Sequence, residues 1–235
     1  MSERERLSEV YDHYRRDEGT QSRWSSTNPG NRAIVDERSR ATERLLRQHW
    51  HTPSGRSCTL LDVGCGRYSL LAPTLDRSQQ GVLDRLGVDL LLERVVDAER
   101  TSRFDALACA DGTQLPIRDE SVDLVALVTV LSSVLDDAIA DAIAADVSRV
   151  LRPGGAVVWY DFRYRNPANS NTRPMVRSHV ERLFPGLEAH WQSVTLLPPV
   201  ARRLGKLCPL GYPALRTLPL LRSHLVGLLV KPGVS

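Results

Sequence analysis

The sequence is poor in several features, and each absence excludes something. No apolar run approaches the ~18 residues that a membrane helix needs. The longest apolar region, Val122 to Leu135, is broken by Asp123 and by hydroxyl side chains. The four cysteines, Cys58, Cys65, Cys109 and Cys208, form no CxxC pair, which argues against a structural zinc site. On one extended strand Cys58 and Cys65 would lie roughly 20 Å apart, too far for a disulfide. The N-terminus, Met1-Ser-Glu-Arg-Glu-Arg, has no signal-peptide core. The expectation is a cytoplasmic protein with reduced thiols, no bound metal and no membrane span. Lysine is scarce too: only Lys206 and Lys231 stand among 31 basic residues, a composition typical of high-GC bacterial coding. Acidic residues stop at Glu188. Beyond it Arg202, Arg203, Lys206, Arg216, Arg222 and Lys231 add six positive charges, so residues 1–188 are net negative within a chain of formal charge +3.

What is present suits a folded domain. The 235 residues are 42% hydrophobic and 25% charged, enough for one core with an added cap. A pI near 8.8 is too mild an excess to indicate nucleic-acid binding by itself. Residues 1–20 and 32–50 show helical spacing of apolar side chains around a loop rich in Ser, Thr, Asn, Pro and Gly. Strands and helices then alternate. Strands are expected at Cys58–Val63, Leu86–Leu90, Ala106–Ala110, Val122–Val130 and Ala156–Tyr160. Helices are expected at Leu70–Leu86, Leu91–Arg103 and from the Asp136 cap to Val150. A helix near Met175–Phe184 and strands at Trp191–Leu197 and His224–Val230 complete the pattern. The pattern predicts a doubly wound α/β sheet of seven strands. Residues 1–57 would be an N-terminal helical cap on a core of residues 58–235. The Pro-rich, basic stretch 198–222 would be a helical insertion between strands six and seven.

The chemistry-bearing motif is Asp62-Val63-Gly64-Cys65-Gly66, between a strand and a helix. Glycines there let the backbone turn sharply and approach a ligand. The dinucleotide fingerprint G-x-G-x-x-G fails at its third position, Ser69. Asp89 ends the second strand about 20 residues on, where an acidic side chain could hold two ribose hydroxyls. Asp111-Gly112 follows the third strand, and Ser121-Val122-Asp123-Leu124-Val125 enters the fourth. Arg152-Pro153-Gly154-Gly155 turns into the fifth.

In order and spacing these segments resemble the class I S-adenosylmethionine-dependent methyltransferases, in particular the methyltransferase type 11 group. The resemblance covers about residues 58–161 and implies a Rossmann-like, doubly wound seven-stranded α/β sheet with its last strand antiparallel. It implies that Gly64 and Gly66 pass under the methionine part of S-adenosylmethionine, with Asp62 and Cys65 beside it. Asp89 and Leu90 would bound the ribose, Asp111 and Gly112 the adenine edge, and Val128 and Thr129 the same pocket. The cofactor has no phosphate to cradle, which fits the missing third glycine. Tyr68 would cover the cofactor or pack on the helix start.

The acceptor side is less determined. Many relatives carry a histidine just past the fourth strand; here Leu131-Ser132-Ser133-Val134 stands there. The exit of strand five, Tyr160 to Asn169, is unusually polar, and such exits face the ligand crevice of an open α/β sheet. Asp161 is the first choice for a catalytic base or acceptor-orienting carboxylate, with a loop-capping carboxylate or a partner of Arg163 as the alternative. Arg163, Asn166 and Asn169 could bind the acceptor or hold the loop itself. Tyr14 could line the pocket or pack the first helix down. His179 and His224 could approach the crevice or serve packing. The expected function is methylation of a small molecule, most readily at oxygen, in bacterial natural-product or sugar metabolism. RNA or protein methylation, and a non-catalytic cofactor-binding homologue, stand as alternatives. No nucleic-acid partner is expected. The basic 198–222 segment reads either as a clamp for an anionic or carrier-linked acceptor, or as a solvated face over Leu204, Leu207, Leu215 and Leu218.

Overall fold

The structure, a computed structural model, describes residues 2–17, 25–53, 55–67, 71, 74, 83–101, 104–167 and 169–233. Seven strands form one sheet: β1 (Cys58–Val63), β2 (Leu83–Asp89), β3 (Ala106–Cys109), β4 (Val122–Val128), β5 (Leu151–Phe162), β6 (Glu188–Leu196) and β7 (Arg222–Val230). Their order is β3-β2-β1-β4-β5-β7-β6. The first five strands are mutually parallel, and β7 runs antiparallel between β5 and β6. The expected α/β class and the single reversed strand are therefore both present.

Side chains alternate across a strand, and the two core clusters follow that alternation. Leu61, Val63, Val125, Leu127, Val157 and Trp159 face one side. There they meet Ile143, Ala144 and Val147 of α4 (Asp137–Val150) and Val180 and Leu183 of α5 (Arg177–Leu183). Leu60, Leu124, Ala126, Val158 and Tyr160 face the other side, against Ala41, Leu45 and Leu46 of α2 (Pro29–His49) and against Trp50. Each fully buried leucine contributes about 1.5–3 kcal/mol. The α4 helix starts where expected, Asp136 accepting from the amides of Ala138 and Ile139.

Two expectations are corrected. The helix expected over Leu70–Leu86 cannot reach Leu86, because β2 begins at Leu83 and pairs with the whole of β1. In the strand Ser57 donates to the Asp84 carboxylate, and the Arg85 backbone amide donates 2.7 Å to Asp105. Apart from Leu71 and Thr74, the remainder of that expected helix, with Tyr68 and Ser69, lies outside the described residues. Secondly, Arg152-Pro153-Gly154-Gly155 is not a turn before β5 but part of it. The register against β4 shifts between Val122 and Leu124 to accommodate the extra residues, and Gly154 takes φ +76°.

The 198–222 insertion folds as α6 (Pro198–Arg203) and α7 (Cys208–Leu215), with short 3-10 turns after each. Ala201, Cys208 and Tyr212 pack on Ile34 and Leu196, with Leu204 and Leu215 against them. Leu207 and Leu218, expected on the same apolar side, are exposed instead. No helix among the described residues is long and apolar enough to cross a membrane.

Candidate active site

The C-terminal ends of β1, β2, β4 and β5 meet at one edge of the sheet, where open α/β sheets bind ligands. After β1 the chain turns through Gly64 at φ +68° and Gly66 at φ +61°. This left-handed backbone is costly for any residue with a Cβ. Space is short as well: a Cβ would lie 2.8 Å from Val130 Cγ2 at Gly64 and 2.4 Å from Arg94 Nη2 at Gly66. The turn is held to β2 by the Cys65 amide, which donates 3.0 Å to the Val88 carbonyl. Cys65 itself is buried, and desolvation pushes its thiol up to about 12, so it stays a neutral thiol.

Asp89 ends β2 and is buried. Its Oδ2 accepts 2.9 Å from the Gly66 amide and its Oδ1 accepts 3.1 Å from the Leu91 amide. Asp62 is buried at the end of β1, and the Leu90 carbonyl receives the Cys109 thiol. Asp111 is exposed and folds back on its own turn, its Oδ1 accepting from both the amide and the hydroxyl of Thr113. A Cβ at Gly112 would lie 3.4 Å from Ile143 Cγ1 and 3.6 Å from Val63 Cγ1. Val128 is buried at the end of β4, and Thr129 takes φ +58° while its amide donates 2.8 Å to the Tyr160 carbonyl.

Sequence reasoning missed Arg94, in the first turns of α3 (Leu92–Thr101). Its Nε lies 3.1 Å from Asp89 Oδ2, and its guanidinium stacks 3.9 Å from the ring centre of Tyr11 on α1 (Glu3–Arg16). Tyr11 and Asp89 hold this half-buried cation above the usual arginine value, against the desolvation that opposes charge. No motif marks such a residue. Its position five residues after a strand-end carboxylate was the only available signal.

The α1 helix lies over this edge. Arg6 donates to the Ser133 carbonyl, Glu3 accepts 3.1 Å from the Leu135 amide, and Asn169 donates 2.9 Å to the Tyr14 hydroxyl. Tyr14 and Asn169, named separately from sequence, are thus brought together. Asn166 is exposed and its carbonyl accepts from the Asn169 amide. Arg163 stacks on Tyr164.

Asp161 is completely buried. Its Oδ2 accepts 2.9 Å from the Ser132 amide and its Oδ1 accepts 3.0 Å from its neighbour's amide, Phe162 N–H. Burial pushes the carboxyl up to about 7, the Ser132 and Phe162 hydrogen bonds opposing it. His224 is enclosed between Tyr160 and Phe162, and burial drives it down to about 3. His179, half-buried beside Arg173 and Arg182, is also lowered, mainly by desolvation. Among the described residues no group of three or more His, Cys, Asp or Glu side chains gathers as a metal site.

Residues 61–159 match the family model described as a methyltransferase domain. A tRNA N(3)-cytidine methyltransferase METTL2 from Gallus gallus is 30% identical over 131 residues, covering 52% of this chain and 35% of that protein. The chain therefore spans about a third of that relative's length. Among solved structures, the PH0226 protein from Pyrococcus horikoshii OT3 superposes with a TM-score of 0.60 at 14% identity, covering 94% of this chain and 98% of that one. A SAM-dependent methyltransferase from Archaeoglobus fulgidus superposes with a TM-score of 0.55 at 13% identity, covering 83% of this chain and 94% of that one.

Residues 61–159 thus match the methyltransferase-domain family, on a strand order and glycine turn that suit the class I S-adenosylmethionine-dependent methyltransferases. S-adenosylmethionine is the cofactor of that class. The residues fit it: two positive-φ glycines leave a cradle that a Cβ would fill, and a buried carboxylate stands at the end of β2.

Proposed function

We propose that the protein transfers a methyl group from S-adenosylmethionine to a small molecule, at an oxygen atom, in bacterial natural-product or sugar metabolism. The observation that carries this reading is α1, which is tied down at Ser133, Leu135 and Asn169. A roof fastened at three points favours a small enclosed acceptor over a polynucleotide that needs an open groove. Residues 1–57 then shape the acceptor side, and residues 58–235 form the cofactor-binding core in the cytoplasm.

The cofactor supplies an already activated methyl group, so the protein's tasks are alignment and exclusion of water. Gly64, Cys65 and Gly66 bring backbone close under the methionine part, beside Asp62. Asp89 accepts from the ribose hydroxyls, next to Leu90. Asp111 and Gly112 border the adenine, and Val128 and Thr129 the pocket between cofactor and acceptor. Tyr14, Arg163, Asn166 and Asn169 orient the acceptor. Asp161 we now propose as a positioning residue rather than the base. Its buried oxygens hold the Ser132 amide, and through it the loop after β4, against β5.

A second reading, methylation of RNA, is favoured by the similarity to a tRNA methyltransferase. Both are tested by incubating the protein with S-adenosylmethionine and either a panel of hydroxylated small metabolites or bacterial tRNA. S-adenosylhomocysteine release and product mass are the readouts. Salt-insensitive turnover on a small hydroxylated acceptor is expected. Turnover on tRNA alone would replace the first reading with the second. Cofactor binding without turnover on any acceptor would leave a non-catalytic homologue.

A further inference from the structure

We propose that the 198–222 insertion docks the protein onto an anionic lipid surface. Four leucines within this short stretch turn outward: Leu207 is 68% exposed, Leu210 81%, Leu218 51% and Leu220 80%. Single exposed leucines are ordinary, but a cluster marks an interaction surface. They cannot relax inward. The inner face of the insertion is already filled by Ala201, Cys208 and Tyr212 packed on α2 and β6. It is also pinned by polar bonds: the Tyr212 hydroxyl donates 2.7 Å to buried Glu37, and Arg202 donates 3.0 Å to Asn31.

Charge selects the occupant. Exposed Arg203 and Lys206 directly precede the leucines in sequence, and no acidic residue follows Glu188. A second copy of the chain would set this positive face against itself. RNA would match the charge but offer the leucines no apolar counterpart. It would also find no ring to stack on, because Tyr212 is the only aromatic residue of 198–222 and is buried. An anionic bilayer satisfies both parts, burying leucines at the acyl boundary and pairing arginine and lysine with headgroups. The inference stands whichever acceptor is methylated.

The test is flotation of the full chain with vesicles of phosphatidylcholine containing phosphatidylglycerol, and with phosphatidylcholine alone. Association with the anionic vesicles only is expected. Each interfacial cation strengthens binding about fivefold, so Arg203→Glu with Lys206→Glu should weaken it about 25-fold or more. Leu210→Glu with Leu220→Glu should weaken it by at least about tenfold. Circular dichroism and melting temperature should stay unchanged in both, because all four positions are exposed. The proposal is overturned if anionic vesicles are not bound, or if the leucine variant binds them like the parent. It is also overturned if the insertion instead mediates dimerisation that the leucine variant abolishes, or salt-sensitive tRNA binding that only the charge variant loses.

Discussion

Arg94 Nε lies 3.1 Å from Asp89 Oδ2 while the same guanidinium stacks on Tyr11 of α1. The carboxylate expected to receive the ribose is therefore engaged by a cation, and that cation is roofed by the N-terminal helix. Replacing Asp89 by Ala removes the ribose acceptor and strands Arg94. Hydrogen bonds to a charged group contribute about 1.5–3 kcal/mol each, so cofactor affinity should fall at least roughly tenfold. Calorimetric titration with S-adenosylhomocysteine measures this directly. Unchanged affinity would remove Asp89 from the cofactor site.

Gly66→Ala should be worse than an ordinary glycine-to-alanine change. The residue sits at φ +61°, and its new Cβ would meet Arg94 Nη2 at 2.4 Å. The backbone cost is about 1–2 kcal/mol before any contact is counted. Lower thermal stability together with weaker cofactor binding is expected. Gly154→Ala is the control, with φ +76° but nothing near its Cβ: it should lose stability without losing cofactor affinity.

Asp161 makes a pH prediction with a definite sign. Its folded value is raised to about 7, so the stability it contributes is complete below about 3.8 and is lost as pH rises through about 7. Asp161→Asn cannot ionise. The melting temperature of the parent relative to this variant should therefore decline between pH 4 and 7 and level off above. A constant difference across that range would show that the carboxyl does not titrate as its burial requires. As a positioning residue it should also affect acceptor turnover more than cofactor affinity.

His224 has the opposite sign. Its folded value is lowered to about 3, so its contribution is present above about 6.5 and disappears as pH falls through that window. His224→Gln should flatten the acid limb of the stability profile. Thermal melts from pH 7 to 4 provide the comparison.

Tyr14→Phe keeps the ring and removes the hydroxyl that accepts from Asn169. A neutral hydrogen bond of this kind contributes about 0.5–1.5 kcal/mol. If α1 closes the acceptor side, acceptor KM should rise roughly threefold to tenfold at unchanged cofactor Kd. Equal changes in both constants would place Tyr14 in general packing instead.

The sequence by itself determined the order of the strands and the glycine turn after β1. Apolar periodicity announced the strands, and β4 is a run of buried residues in both descriptions. Gly64 and Gly66 were legible because a positive φ admits few other residues, and Asp89 because it follows them at the spacing of one βαβ unit. The β2 boundary was not legible. In its polar first half the Asp84 carboxylate and the Arg85 backbone amide bond to Ser57 and Asp105, residues distant along the chain.

Tertiary structure alone decided the remainder, because each case depends on which groups meet across the fold. Asp161 reads as reactive in a polar stretch, yet packing encloses it and backbone amides occupy its oxygens. Arg94 belongs to no motif and acquires meaning only where α1 lays Tyr11 on it. The leucines of the insertion are one residue type with one local pattern. Only the limited area of α2 and β6 decides that Leu204 and Leu215 pack while Leu207, Leu210, Leu218 and Leu220 remain outside. Composition sets how much apolar surface a chain carries, and the fold sets how much of it can be covered.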